Sequence, residues 1–129
     1  MIEEAIVTLV TGNLAVKALI GARLYPEKIP QDAKLPAAAY QVTSTGINYN
    51  MDGQSSIVSP LIGFTFDARS YDEAKAIGAA VKAVLSGYRG TVAGIKIGSI
   101  FLQDEFEGYN LASDVYMRSQ IYKVNYKEV

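Results

Sequence analysis

Apolar residues at Ile6, Leu9 and Val10, with Glu3 and Glu4 placed where the helix dipole favours anions, predict a helix starting at Ile2 and reaching towards Ile20. Thr11-Gly12-Asn13 interrupts the period. Asn13 is a good N-cap, so the segment reads as one kinked helix or two short ones, the second with Leu14, Ala18 and Leu19 as its apolar side. Gly21 suits a C-terminal cap and Pro26 stops any continuation. Arg23 to Leu35, broken by Pro26 and Pro30 and followed by Pro36, reads as an ordered loop crossing the domain.

Period-two alternation then takes over. Pro36 to Thr45 puts Ala38, Tyr40, Val42 and Ser44 on one face and Gln41 and Thr43 on the other. Ile57 to Arg69 puts Ile62, Phe64, Phe66 and Ala68 against Gly63, Thr65, Asp67 and Arg69. Pro60 marks this second strand as an edge, or as bulged there. Between them, Gly46 to Ser56 holds Asp52-Gly53, a dipeptide suited to the positive φ values of a type I′ turn. A two-residue turn there sets Met51 opposite Gln54 and Tyr49 opposite Ser56. The resulting arm is polar on both sides and lacks a face greasy enough to bury in its own domain. Tyr49 and Met51 on such an arm point to a partner, so Ile47, Asn48, Tyr49, Asn50, Met51, Asp52, Gly53 and Gln54 form the expected partner interface.

Ser70-Tyr71-Asp72-Glu73 is a capping box. The helix it opens runs to about Leu85, with Ala74, Ile77, Val81, Val84 and Leu85 as a stripe for packing on a sheet; Gly78 permits close approach and Gly87 ends it. Two strands follow, Ile95 to Glu105 and Asp114 to Tyr126, apolar on both faces as suits central strands or strands that meet another subunit: Ile95, Ile97 and Phe101 against Ile100 and Leu102, then Val115, Met117 and Ile121 against Tyr116, Tyr122, Val124 and Tyr126. Glu107 to Ser113 is the loop between them, with Gly108-Tyr109-Asn110 at its tip. The order α-β-β-α-β-β predicts an α+β fold: a mainly antiparallel four-stranded sheet with a long β-hairpin and helices packed on one face.

Composition narrows the chemistry. A chain of 129 residues favours one domain spanning 1–129. It carries no Cys and no His, which removes thiolate nucleophiles, Cys-type zinc sites, iron–sulfur clusters and the commonest neutral-pH acid–base. Twelve Lys and Arg against 13 Asp and Glu give a net charge of −1, too little to attract nucleic acid or an anionic membrane. Thr91-Val92-Ala93-Gly94 and Gly21-Ala22-Arg23 are Gly-bearing turns without phosphate-loop spacing. Asp104, Glu105, Glu107 and Asp114 cluster around one loop but match no cation-loop motif and read as a solvated charged turn. Ser44, Ser55 and Ser56 have no activating base beside them. The expectation is therefore no catalytic residue, no cofactor and no metal. The acidic Met1-Ile2-Glu3-Glu4 start is unlike a signal peptide, no apolar run spans a membrane, and a cytoplasmic protein is expected.

Several of these segments resemble a known family. Arg23-Leu24-Tyr25-Pro26, then Pro30-Gln31-Asp32-Ala33 and Leu35-Pro36 leading into Tyr40-Gln41-Val42, are similar to the opening of the phage tail-completion family, the small tail-terminator or head-to-tail joining proteins of long-tailed phages and prophages. Phe64-Thr65-Phe66-Asp67-Ala68 followed by Ser70-Tyr71-Asp72-Glu73-Ala74, and the closing strand to Tyr126, resemble the same family. The Thr11-Gly12-Asn13 break and the Gly-rich stretch between Ser86 and Ser99 depart from it. The resemblance implies a ring of identical subunits, usually six, that caps the tail tube at the head–tail junction of a virion assembled in the bacterial cytoplasm. It implies the major tail tube protein and the head connector as partners, double-stranded DNA only as cargo passing through the channel, and no membrane. The near-neutral charge is compatible with a channel in which DNA slides.

A different class of function is a small-molecule or peptide-binding α+β module of a bacterial cell, using a cleft beside the sheet lined by Tyr40, Phe64 and Tyr122. A carboxylate-dependent enzyme ranks below both, since no acid pair stands out.

Overall fold

The computed structural model describes residues 2–30, 32–46, 49–50, 53–54 and 57–128. In chain order the elements are α1 (Ile2–Thr11), α2 (Leu14–Ile20), β1 (Leu24–Pro26), β2 (Ala37–Ser44), β3 (Tyr49–Asn50), β4 (Gly53–Gln54), β5 (Leu61–Ala68), α3 (Tyr71–Leu85), β6 (Gly90–Val92), β7 (Ile95–Asn110) and β8 (Val115–Glu128).

The N-terminal segment is two helices. The Asn13 carboxamide accepts hydrogen bonds from the Ala15 and Val16 amides at 2.9 and 3.2 Å, which starts α2 afresh. The restart resets the helical phase. Val16 and Ile20, one turn apart, are the buried residues of α2, while Leu14 is 82% exposed and Ala18 lies on the outside with it. The apolar side expected at Leu14, Ala18 and Leu19 is thus corrected at Leu14 and Ala18, while Leu19 is half-buried and packs against the core as expected. Gly21 caps α2 as expected, at φ 60°, with its N–H on the Lys17 carbonyl.

The main sheet has six strands, in the order β1-β2-β5-β8-β7-β6, rather than four. One added strand comes from the segment read as a loop. Leu24–Pro26 runs parallel to Ala38–Tyr40 at the sheet edge, where the missing proline N–H breaks no ladder bond. The other is Gly90–Val92, joined to β7 by Ala93 and Gly94 at φ 50° and 77°, the two positive values of a type I′ turn. β5 is no edge strand: it lies between β2 and β8. Pro60 stands just before it, and its carbonyl accepts the Val124 amide at 3.0 Å.

β7 and β8 form a hairpin longer than expected. Tyr109 pairs with Tyr116 and Asn110 with Val115, so the turn is Leu111 to Asp114 and not Gly108 to Asn110. Register shifts between Ile97 and Ser99 and between Leu102 and Asp104 change which face each residue takes. Ile95, Ile97 and Ile100 are therefore all buried together, and Phe101, expected beside Ile95 and Ile97, is 57% exposed.

α3 begins as the sequence indicates: the Ser70 hydroxyl accepts the Glu73 amide at 3.1 Å. Its Ala74, Ile77, Val81 and Leu85 join Ile6, Val10, Val16 and Ile20 over Ile62, Phe64, Phe66, Tyr122 and Val124 in one core. Each fully buried large aliphatic or aromatic residue there contributes about 1.5–3 kcal/mol relative to exposure. The helices cover this face; the opposite face carries Thr65, Asp67, Met117, Ser119 and Ile121.

Candidate functional site

Of the expected interface, Ile47, Asn48, Met51 and Asp52 lie outside the described residues. The remaining four form a two-stranded ribbon of their own, pairing Tyr49 with Gln54 and Asn50 with Gly53. This register is offset from the Met51–Gln54 and Tyr49–Ser56 pairing expected of a turn at Asp52-Gly53. Among the described residues the ribbon belongs to no strand of the main sheet, so the chain's arm is a separate β element.

A second surface lies on the two-faced strands. Seven large hydrophobic residues are exposed among those described, and four of them, Phe101, Phe106, Tyr109 and Leu111, lie on β7 or its turn. Phe101 and Phe106 pair with Lys123 and Ser119 across β8 and share the sheet face opposite the helices. The sequence signal was present in the two-faced apolar pattern; the two bulges that expose Phe101 were not legible from it.

On the same face, Glu27, Lys28, Ile29, Ala39, Thr65, Asp67 and Met117 line a hollow of about 230 Å³. Burial pushes the Asp67 carboxyl above its ordinary range, and one of its oxygens is buried without a hydrogen-bond partner. A raised carboxyl pKa means that the folded state holds the proton more tightly. The stabilising share of this group is present below the unfolded carboxylate range, near pH 4, and is lost as pH rises through the folded value. Asp67→Asn is therefore expected to raise the melting temperature at pH 7, with the difference closing as the pH falls below about 4. Melting curves across pH check this; a lower melting temperature at pH 7 would mean that the carboxylate has a stabilising partner.

The far half of the β7–β8 hairpin is tied to α3 by a polar network. Gln120, fully buried, donates to the Gly78 carbonyl at 2.9 Å and to Glu105 at 2.6 Å, and accepts the Tyr122 hydroxyl at 2.7 Å. Arg118 pairs with Glu105 at 3.0 Å and with Glu107 at 3.2 Å. Burial pushes the Glu105 carboxyl up, but hydrogen bonds from Gln120 and Arg118 and the charges of Arg118 and Lys82 outweigh it and hold the group below its ordinary value. Burial, with the Glu105 charge, lifts the Tyr122 hydroxyl far above its ordinary pKa and keeps it a neutral donor. Gly78 fills the role read from the sequence: a Cβ there would stand 2.8 Å from the Arg118 side chain. Gln120 itself had gone unnoticed, because a glutamine in an alternating strand looks like a solvent-facing residue.

Other candidates resolve differently. The residues expected to line a cleft are instead packed inside: Phe64 and Tyr122 are core residues in edge-to-face contact at 5.8 Å, and Tyr40 packs against the same core. A groove of about 250 Å³ lies instead between the start of α3 and the hairpin end, lined by Tyr71, Lys75, Tyr109, Tyr116 and Met117 among others. The acidic cluster is dispersed: Glu105 and Glu107 hold Arg118, and Asp114 accepts the Tyr109 hydroxyl at 2.6 Å. Among the described residues no three His, Cys, Asp or Glu are grouped to hold a metal ion, and no helix is long and apolar enough to cross a membrane.

The site is thus a set of surfaces: a ribbon outside the main sheet, an aromatic strand and a buried brace behind it. The family model described as "Tail completion protein gp17" matches residues 4–117. Among solved structures, a chain of the "Virion of native gene transfer agent (GTA) particle" is similar over 97% of this chain and 93% of that chain, with a TM-score of 0.76 at 14% identity. At that identity the likeness concerns the fold. No curated protein matches the sequence.

Proposed function

The chain belongs to the tail completion protein gp17 family and is a structural protein of a virion tail, and from that premise we propose that it closes the tail tube as a ring of identical subunits, six in number, and joins the tube to the head connector. The observation that carries the reading is the family match over residues 4–117. The fold supports it, since the neighbouring virion chain is similar along nearly its whole length. In this reading residues 1–129 act as one domain and the work is done by surface fit rather than by reactive side chains. The partners are further copies of the chain, the major tail tube protein and the connector, with double-stranded DNA passing through the lumen as cargo. The place of action is the head–tail junction, after assembly in the bacterial cytoplasm.

A ring of identical subunits needs two different patches per subunit that meet head to tail. The arm, Ile47 to Gln54, is assigned to one of them. Electron microscopy of the protein mixed with purified tail tubes tests the reading: rings and capped tube ends are expected. A variant lacking residues 47–56 but retaining the circular dichroism of the full chain is expected to leave the ends bare. A full-length protein indifferent to tubes and monomeric at high concentration would overturn the ring; a deleted variant that still caps would overturn the role of the arm.

A further inference from the structure

We infer that the outer edge of β7, from Phe101 to Asn110, is the second patch, and that it takes the β3–β4 ribbon of a second copy of this chain as an added strand; this rests on the ring reading above. β7 has β8 on one side along its length. On the other side β6 pairs only with Ile95 to Ile97, and the Gly87 amide reaches the Ile100 carbonyl at 2.9 Å. From Phe101 onward no strand among the described residues lies against that side. This leaves an open edge roughly 30 Å long at about 3.3 Å per residue. Half of its backbone N–H and C=O groups face outward, which is a template for another strand.

Soluble chains usually blunt such an edge. Here the devices are the bulge between Leu102 and Asp104 and the charge of Asp104, whose carboxylate accepts the Glu105 amide at 2.9 Å, while the charges of Glu105 and Glu107 are engaged by Arg118. Phe101 and Phe106 stand beside the edge at 57% and 52% exposure, both on the sheet face opposite the helices. An open ladder flanked by exposed aromatics fits an extended strand, which makes backbone bonds and offers side chains to the aromatics.

The chain itself holds the complementary element. β3 and β4 hydrogen-bond to each other and, among the described residues, to no strand of the main sheet. A two-stranded ribbon of two-residue strands is marginal alone and gains by joining a sheet. The ribbon follows β2, while β7 lies three places away across the sheet, so one copy's ribbon and its own β7 edge are separate patches. Ribbon on edge is then a head-to-tail contact that repeats from copy to copy and closes by rotation.

Complementation tests it with two assembly-defective full-fold variants. The chain lacking residues 47–56 keeps its β7 edge; Phe101→Lys with Phe106→Lys keeps its ribbon but places charges along the edge. Both lysines replace exposed side chains, and circular dichroism confirms the fold. Each variant alone is expected to sediment as a monomer. Their equimolar mixture is expected to give a dimer of twice the mass and nothing larger, because only one ribbon–edge contact remains. Hydrogen exchange adds an independent reading: amides between Phe101 and Asn110 that exchange quickly in the monomer are expected to slow at least tenfold in the wild-type ring. A mixture that stays monomeric while the wild type forms rings overturns the pairing and leaves the ring standing. So does unchanged exchange along β7 in the ring, or slowing that occurs only when tail tubes are added. A wild type that forms no ring under any condition defeats the ring reading, and the inference with it.

Discussion

Gly78→Val is expected to lower stability by about 2–4 kcal/mol, a fall in melting temperature of roughly 10 °C for a chain of this length. The position is buried on α3, and a Cβ would meet Arg118 Cδ at 2.8 Å, Arg118 Nε at 3.0 Å and Gln120 Nε2 at 3.2 Å. None of these atoms is a loose chain end. Arg118 is held by Glu105 and Glu107, and Gln120 by three hydrogen bonds, so making room breaks the brace. Valine gains a few tenths of a kcal/mol over glycine in helix propensity, far less than this cost. Gly78→Ala places its Cβ against the same three atoms but adds no further methyl groups and gains about 1 kcal/mol of propensity, so it is expected to destabilise by less than valine. Thermal unfolding at neutral pH checks both. A valine variant that melts within about 2 °C of the wild type would mean that α3 and the hairpin are not closely packed.

Gly78 also shows what the sequence discloses. A glycine on the apolar side of a capped, periodic helix has a physical reason to be there, and that reason could be read without knowing what it faces. The same holds for Asn13, Gly21 and Ser70, where cap chemistry acts within a few residues of the chain. The alternation of Ile62, Phe64, Phe66 and Ala68 was legible because one buried face imposes period two. What failed was set at long range. β1 is three residues around a proline and exists because β2 offers it an edge; β6 is fixed by its pairing with β7. The bulges after Ile97 and Leu102 shift the phase of β7, and no local residue signal distinguishes them from plain strand. A strict alternation therefore put Phe101 inside and left the exposed aromatic line unseen. The arm was legible as a β element, but its register was misplaced because Asp52-Gly53 matched a turn signature that the pairing of Tyr49 with Gln54 does not use.

Replacing Gln120 by leucine is expected to cost about 2–4 kcal/mol at pH 7, although leucine has similar volume and is apolar. The loss comes from what is left behind. The Tyr122 hydroxyl, fully buried, loses its acceptor, and Glu105 loses a donor that helps keep it ionised. A buried polar group left unpaired costs about 1–3 kcal/mol, whereas replacing both partners by apolar groups is nearly neutral. Adding Tyr122→Phe to Gln120→Leu is therefore expected to recover about 1 kcal/mol, a non-additive result measurable by a double-mutant cycle in urea. The pH dependence follows the same brace. Because the folded Glu105 pKa lies below its unfolded value, its contribution is present above the ordinary carboxylate range and is lost as pH falls through the folded value. Gln120→Leu removes one of the lowering influences, so that loss is expected to begin at higher pH, with Arg118 and the Lys82 charge left to hold the carboxylate. Simple additivity of the two substitutions would show that the tyrosine hydroxyl and the glutamine are not coupled. The brace would then be a packing contact, and the far half of the hairpin, with Phe106 and Tyr109 on it, would owe its position to β8 alone.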